Sequence, residues 1–226
     1  MPRSNPARRH SLTDAAITLL ASDGVHGLTH RSAERAAGLP AGTASNYFRN
    51  REELLVAAAE RIVELHLAEM AQADAAAVEQ AARHAPGGPT PELAELIGMS
   101  LEVAASAHRD RYLAVFELLL ESRRRPALTA ALARLAGGAA GFTGDEHAQL
   151  GLDLPARAVP LLVALYGGAL FTLVTGPGGA GGPGDAGGPG GQTGPTARDL
   201  ARAIVAGVLA TTAPDEADRD APGAVG

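Results

Sequence analysis

No stretch of this chain alternates apolar and polar residues for long enough to make a strand, so its apolar residues must be buried another way. They recur at the three- and four-residue spacing of a helix face. Leu12, Ala15, Ala16, Leu19 and Leu20 set the pattern, and Leu54, Leu55, Ala58, Ile62 and Leu65 repeat it. It returns in Leu93, Leu96, Ile97, Leu101 and Ala105, then in Tyr112, Val115, Phe116, Leu119 and Leu120. Leu128, Ala131, Leu132 and Leu135 mark a shorter helix, and Leu200, Ile204, Val208 and Leu209 a last one. The chain is therefore predicted to be all-α.

Stop and start signals divide these faces. Asn5-Pro6 is a cap residue followed by proline at the first helical position, and Gly24 is placed to end that helix. Thr29 caps a short second helix that carries Ala33, Ala36 and Ala37 and ends at Gly38. "LPAG" is a tight turn, and a third short helix is expected over about residues 41–47. Asn50 caps a fourth, with Glu52 and Glu53 in its first turn, where carboxylates suit the helix dipole. "HAPGGPTP", residues 84–91, interrupts the pattern, and Thr90-Pro91 restarts it. Pro126 should stop the helix before it at Arg125, leaving Arg123, Arg124 and Arg125 in the last turn, and Gly137-Gly138 should end the next.

Composition narrows the function classes. The chain has 226 residues, room for one large domain or two small ones, and no cysteine, which excludes disulfides and thiolate metal sites. Its N-terminus has no apolar core before a cleavage signal, and a cytoplasmic location is expected. The net charge is −6, but residues 1–51 hold seven arginines against three acids. That end is thus +4 and the remainder −10, an asymmetry that suits a polyanion contact at the N-terminal end. Residues 158–175 are apolar without a charge. Pro160, Tyr166, the Gly167-Gly168 pair and two threonines weaken a membrane span, so the expectation is a helix buried by its own domain and by a second copy of the chain. Residues 176–195 are rich in glycine and proline and read as a flexible loop, and residues 214–226 as a disordered tail. With no lysine in the chain, that loop is not a phosphate-binding loop.

Two short helices joined by "GLPAG", with a longer helix on each side, fit a helix-turn-helix whose second short helix enters the major groove. Gly42 leaves room for close backbone approach, and Thr43, Ser45 and Asn46 offer short polar groups to bases or phosphates. Phe48 anchors the helix inward, while Tyr47 can pack its ring and reach a phosphate with its hydroxyl. Arg49 and Arg51 follow and are placed to hold the sugar-phosphate backbone. His30 could touch phosphate.

"GVHGLTHRSAERAAGLPAGTASNYFRNREELL", residues 24–55, resembles the DNA-binding domain of TetR-family transcriptional regulators. The match runs through Gly27, Thr29, Arg31, Ala37, Gly38, Gly42, Thr43, Tyr47, Phe48, Arg51 and Leu54. "FELLLESRRRPALTAAL", residues 116–132, resembles the family's regulatory domain more loosely. The resemblance implies a three-helix helix-turn-helix head over residues 1–55 and a larger ligand-binding and dimerisation domain over 56–213. It also implies a homodimer through C-terminal helices at about 156–175 and 196–211. A near-palindromic double-stranded operator and a small-molecule effector that releases it complete the picture, and repression is the expected outcome. DNA contacts are then expected from Thr29, Arg31, Ser32, Gly42, Thr43, Ser45, Asn46, Tyr47, Arg49 and Arg51. The chain departs from the family at Ser45, where an aromatic is common, at Arg51, usually lysine, and at Ala33-Glu34, often Ile-Ala. Facing phosphate would be unfavourable for Glu34, so it is expected to turn to solvent or pair with Arg31 or Arg35.

Other candidates are weaker. Glu117 and Glu121 share a helix face but are expected to be solvated or paired, with Arg125 one turn beyond Glu121, rather than catalytic. The seven histidines show no ligand spacing, so neither a metal site nor a cofactor is expected. Met99, Val103, Tyr112, Phe116, Tyr166 and Phe171 could line a pocket for an apolar ligand. The competing readings are a DNA-binding regulator without an effector and a helical module that does not bind DNA.

Overall fold

The computed structural model describes residues 5–81, 89–135, 137, 158–176 and 194–212. The expected tail at 214–226 lies outside them, as do most of the 176–195 loop, most of the 84–91 interruption and the Gly137-Gly138 stop beyond Gly137. The described residues are all-α. Helices α1 (Pro6–Gly27) and α2 (His30–Ala36) are followed by a 3-10 turn (Ala44–Asn46) and the long α3 (Arg51–Ala81). Then come α4 (Pro89–Ser106), α5 (Arg109–Ser122), α6 over residues 126–135, α7 (Ala158–Thr175) and α8 (Ala197–Thr212).

Side chains set the helix starts as their types require. The Asn5 carboxamide accepts the Ala7 and Arg8 amides, with Pro6 behind it. Thr29 and Ser32 form a reciprocal capping box on α2. Asn50 takes the Glu53 amide at 2.9 Å while the Glu53 carboxylate reaches back to the Arg49 amide at 2.8 Å. On α8, Thr196 and Asp199 cap each other in the same way.

Gly24 breaks the first helix as expected, and the ends depart from the sequence reading in two other places. At Gly24 the chain kinks, with φ 66° and ψ −173°, and then winds one further turn to Gly27. Only glycine adopts that geometry without strain. α5 ends at Ser122 rather than Arg125, because the Arg124 and Arg125 amides bond back three residues to Glu121 and Ser122. Arg123–Arg125 thus form the turn into α6, which Pro126 opens from a first-turn position that needs no amide. The third short helix is a 3-10 turn of three residues, with Gly38 (φ 65°) and Gly42 (φ 86°) bounding the connection before it.

Two apolar cores result. The first joins α1, α2, the 3-10 turn and α3 to α5 and α6, and it encloses Leu12, Leu20, Leu28, Leu54, Leu55, Leu118 and Leu128. Each such leucine contributes about 1.5–3 kcal/mol by leaving water. The second joins α4, α7 and α8 around Leu101, Leu162, Leu170, Val174, Ile204 and Val208. α5 belongs to both: Ala114, Val115 and Leu118 face the first, while Tyr112, Leu113 and Phe116 pack against the second. α7 is long and apolar enough to cross a membrane by composition. Its face with Ala158, Leu162, Ala169, Leu170 and Val174 is buried in the second core, whereas Leu165 and Phe171 are exposed.

Candidate nucleic-acid interface and regulatory site

α2 and the 3-10 turn are fixed from behind by apolar side chains. Ala33, Ala44 and Phe48 are buried in the first core, and Arg9 lies over the Phe48 ring at 5.7 Å from its centroid. The polar edge faces outward: Gly42, Ser45, Asn46 and Arg49 are exposed, Thr43 partly so. The Asn46 amide donates to Gly42 O at 3.3 Å, leaving its second N–H and its carbonyl free for an outside partner. Thr43 donates its hydroxyl to Pro40 O at 2.6 Å and is left with acceptor lone pairs. Arg31, Arg35 and Arg49 are exposed and form no ion pair with any described residue. Such a row of unpaired guanidinium groups favours a polyanion.

Other predicted contacts do internal work. Thr29 and Ser32 bond to each other, and the Ser32 hydroxyl also donates to Gly27 O at 2.8 Å. The Tyr47 hydroxyl accepts the Asn5 amide at 3.3 Å, at the start of α1. Arg51 turns inward: its Nε donates to Leu28 O at 2.7 Å and a terminal nitrogen donates to Val25 O. Its guanidinium thereby ties the start of α3 to the joint between α1 and α2. His30 is half-buried, with its Nε2 enclosed and without a hydrogen-bond partner among the described residues.

Glu34 overturns its expectation. It neither faces solvent nor pairs with arginine; it is 5% exposed, and its Oε1 accepts the Ala44 amide at 2.7 Å. The sequence carried no signal for this, because the two residues meet only once the connection between them folds back. Glu117 was also missed as a joint between elements: from α5 it accepts the Val25 amide at 3.1 Å, beside the Gly24 kink. Glu121 pairs with Arg125 at 2.6 Å and Arg124 at 3.3 Å, and these bonds hold its carboxyl below the usual range.

Away from the head, the predicted pocket residues divide. Phe116 and Phe171 meet edge to face at 5.0 Å, and the Tyr166 hydroxyl shares a hydrogen bond with Ser100 at 2.8 Å. Tyr112 is largely buried, and burial pushes its phenol well above the ordinary range, with Tyr166 adding to the effect. Met99, Val103 and Phe171 are exposed, at 44%, 49% and 48%. A polar group unseen in the sequence lies alongside: Arg111 grips both carboxylate oxygens of Glu69, one of them at 2.7 Å, and His108 stands 3.5 Å from the same carboxylate. Burial holds His66 below its ordinary range, against the pull of Glu69 and with the push of Arg111 and His108. Burial would raise Glu69, but the Arg111 hydrogen bond and charge outweigh it and hold the carboxyl low. Among the described residues no three His, Asp or Glu side chains converge on a metal-sized site.

A capped helix pair, a glycine-bounded turn with its polar edge outward and flanking free arginines make a helix-turn-helix DNA-binding head on a larger helical body. Comparison with known proteins agrees. The family model "Bacterial regulatory proteins, tetR family" matches residues 12–58, and "Tetracyclin repressor-like, C-terminal domain" matches residues 88–211. The chain belongs to the tetR family of bacterial transcriptional regulators. It is similar to a TetR-family member from Streptomyces coelicolor A3, with 23% identity and a TM-score of 0.62 over 90% of this chain and 98% of that one. A transcriptional regulator from Rhodococcus sp. Rha1 shares the fold at 16% identity and a TM-score of 0.62, over 90% and 96%. The multidrug binding protein EbrR, solved with ethidium, is 26% identical over 89% of this chain and 98% of that one, with a TM-score of 0.55. No curated protein sequence matches the chain.

Proposed function

We propose that the chain is a homodimeric repressor that binds a near-palindromic operator in the bacterial cytoplasm and is released by an aromatic small molecule. The outward polar edge of the 3-10 turn, locked from behind by Ala44 and Phe48, carries the DNA reading. Asn46 and Ser45 inspect bases, with Gly42 and Thr43 giving close approach. Arg31 and Arg49 hold phosphates and fix register, and Tyr47, whose hydroxyl oxygen accepts the Asn5 amide, keeps its own proton to donate to one. Thr29, Ser32 and Arg51 act on DNA indirectly, by holding the frame, as their internal hydrogen bonds suggest.

Dimerisation is supported by the uncovered faces of α7 and α8. Ala164, Leu165 and Gly168 are exposed on one, and Ala203, Ala206, Gly207 and Ala210 on the other. An apolar strip of small residues lets two helix pairs approach closely and leave water together.

The effector reading rests on where aromatic residues gather. Four of the chain's seven, Tyr112, Phe116, Tyr166 and Phe171, stand together on α5 and α7, a concentration suited to a flat aromatic ligand. Met99 and Val103 on α4 would extend the apolar wall. Likeness to a protein that binds ethidium supports the same class. α5 would carry the signal, since Tyr112 and Phe116 face the aromatic group while Glu117 holds Val25 in the head. A ligand preferring a shifted α5 would draw the population from the DNA-binding state, with a coupling typically of about 1–3 kcal/mol.

Selection of duplexes from a random pool by the full chain tests this. The expected result is one salt-sensitive, two-fold-symmetric motif bound by a dimer. Ethidium and proflavin should then raise the melting temperature of the DNA-free protein, a readout that avoids their intercalation into the duplex. Selection of no sequence would end the operator reading. A symmetric motif with no response to any aromatic compound would favour a regulator without an effector.

A further inference from the structure

We propose that Glu34 is the residue that sets the DNA-reading turn: its buried carboxylate, bonded to the Ala44 amide, positions Ser45 and Asn46 for base recognition. A three-residue 3-10 turn has little stability of its own. Its natural cap is absent, because the Thr43 hydroxyl donates to Pro40 O instead of accepting an amide. The Ala44 amide would then be an orphan in a residue with no solvent exposure. Glu34 reaches from α2 to fill that role with a charge-assisted bond of 2.7 Å.

The same residue fixes the other end of the connection. The Glu34 backbone carbonyl accepts the Leu39 amide at 2.9 Å, just past the left-handed Gly38. Residues 39–43 are therefore held at both ends by one position of α2, and neighbouring Ala33, fully buried, pins that position in the core. From Ala44 the geometry passes straight to the reading edge. The Tyr47 and Phe48 amides both bond to Ala44 O, and Ser45 and Asn46 lie between. A shift of the Ala44 amide rotates the two side chains that face outward, while Phe48 stays anchored. A buried carboxylate is costly unless it is hydrogen-bonded, and the Ala44 amide supplies that bond here.

The test uses the full chain with three variants. Glu34→Gln keeps an oxygen acceptor at the same reach; Glu34→Asp withdraws it by one methylene; Glu34→Ala removes it. Affinity is measured for a duplex selected from a random pool by the native chain and for a scrambled duplex of the same composition. Glu34→Ala and Glu34→Asp should lose about tenfold in the ratio of the two affinities, near the low end of the cost of one base contact. Their scrambled-duplex affinity and salt slope should hold, and Glu34→Gln should keep most of the native ratio. Without DNA, hydrogen exchange at the Ala44 amide should accelerate in Glu34→Ala and Glu34→Asp but not in Glu34→Gln. If Glu34→Ala does not fold, the comparison of Asp with Gln decides. Parallel loss on both duplexes together with a lower melting temperature would reduce Glu34 to a stability role and overturn the proposal, as would an unchanged ratio in Glu34→Asp. A native chain that selects nothing would remove the operator reading and this one with it. A native operator read equally well by Glu34→Ala would remove this one alone.

Discussion

Replacing Arg51 with alanine separates two roles that the residue type alone leaves open. In the folded chain its guanidinium donates to Leu28 O and Val25 O, and the side chain is partly buried. Hydrogen bonds made by charged groups are each worth about 1.5–3 kcal/mol net, and holding an arginine in one rotamer costs about 2 kcal/mol. The Val25 carbonyl keeps a bond from the Leu28 amide at 3.2 Å, so its loss is the smaller one. Leu28 O is the acceptor left short, in a residue that is itself fully buried. The balance is about 1–3 kcal/mol of lost stability. Urea denaturation followed by circular dichroism, at fixed protein concentration, reads it directly. Arg51→Lys should recover no more than about half, since an ammonium lacks the planar fork that spans two carbonyls. The salt slope of DNA binding should stay as in the native chain. A slope lower by about one with unchanged stability would place the guanidinium on a phosphate and refute the internal assignment.

The Gly24 joint and the polar group on α3 and α5 give further expectations. Gly24→Ala should cost about 1–3 kcal/mol, because φ 66° with ψ −173° is open to glycine alone and the new methyl carbon would stand 3.1 Å from the Glu117 carboxylate. Glu117→Ala should cost a similar amount, about 1–3 kcal/mol, by freeing the Val25 amide, whereas Glu117→Gln keeps an acceptor and should not; thermal melts that rank Gln with Ala would count against the joint. Stability should also fall as pH drops through about 6.5, since unfolded His66 then takes up a proton that folded His66 refuses until its own lower pKa is reached. A second loss should follow below about pH 4.3, as the depressed Glu69 carboxyl is protonated and its hold on Arg111 ends. His66→Gln should abolish the first phase only, and urea midpoints that keep the native difference between pH 5 and pH 7.5 in that variant would assign the phase elsewhere.

Local chemistry made much of the head legible. Asn5, Thr29 and Asn50 cap helices as their side chains dictate, and Gly38 and Gly42 take the left-handed turns that their lack of a β-carbon permits. Helical spacing placed Leu12, Leu54, Leu101 and Ile204 in cores. These signals act within one or two turns of chain, so sequence order preserves them. It also placed Ser45 and Asn46 on the outward edge, because Phe48 had to face in.

Longer-range partners were not legible. Charge alone places Arg51 on the outside, whereas its guanidinium bonds to Leu28 O and Val25 O, 23 and 26 residues away, which only the fold brings within reach. Glu69 and Arg111, 42 residues apart, and Glu117 and Val25, 92 apart, are likewise products of packing. By itself the sequence determined an all-helical chain with a basic reading head, because periodicity, capping and glycine geometry are local and nearly additive. The tertiary structure alone decided which polar groups face outward and which are consumed inside, because a hydrogen bond depends on where two distant segments meet.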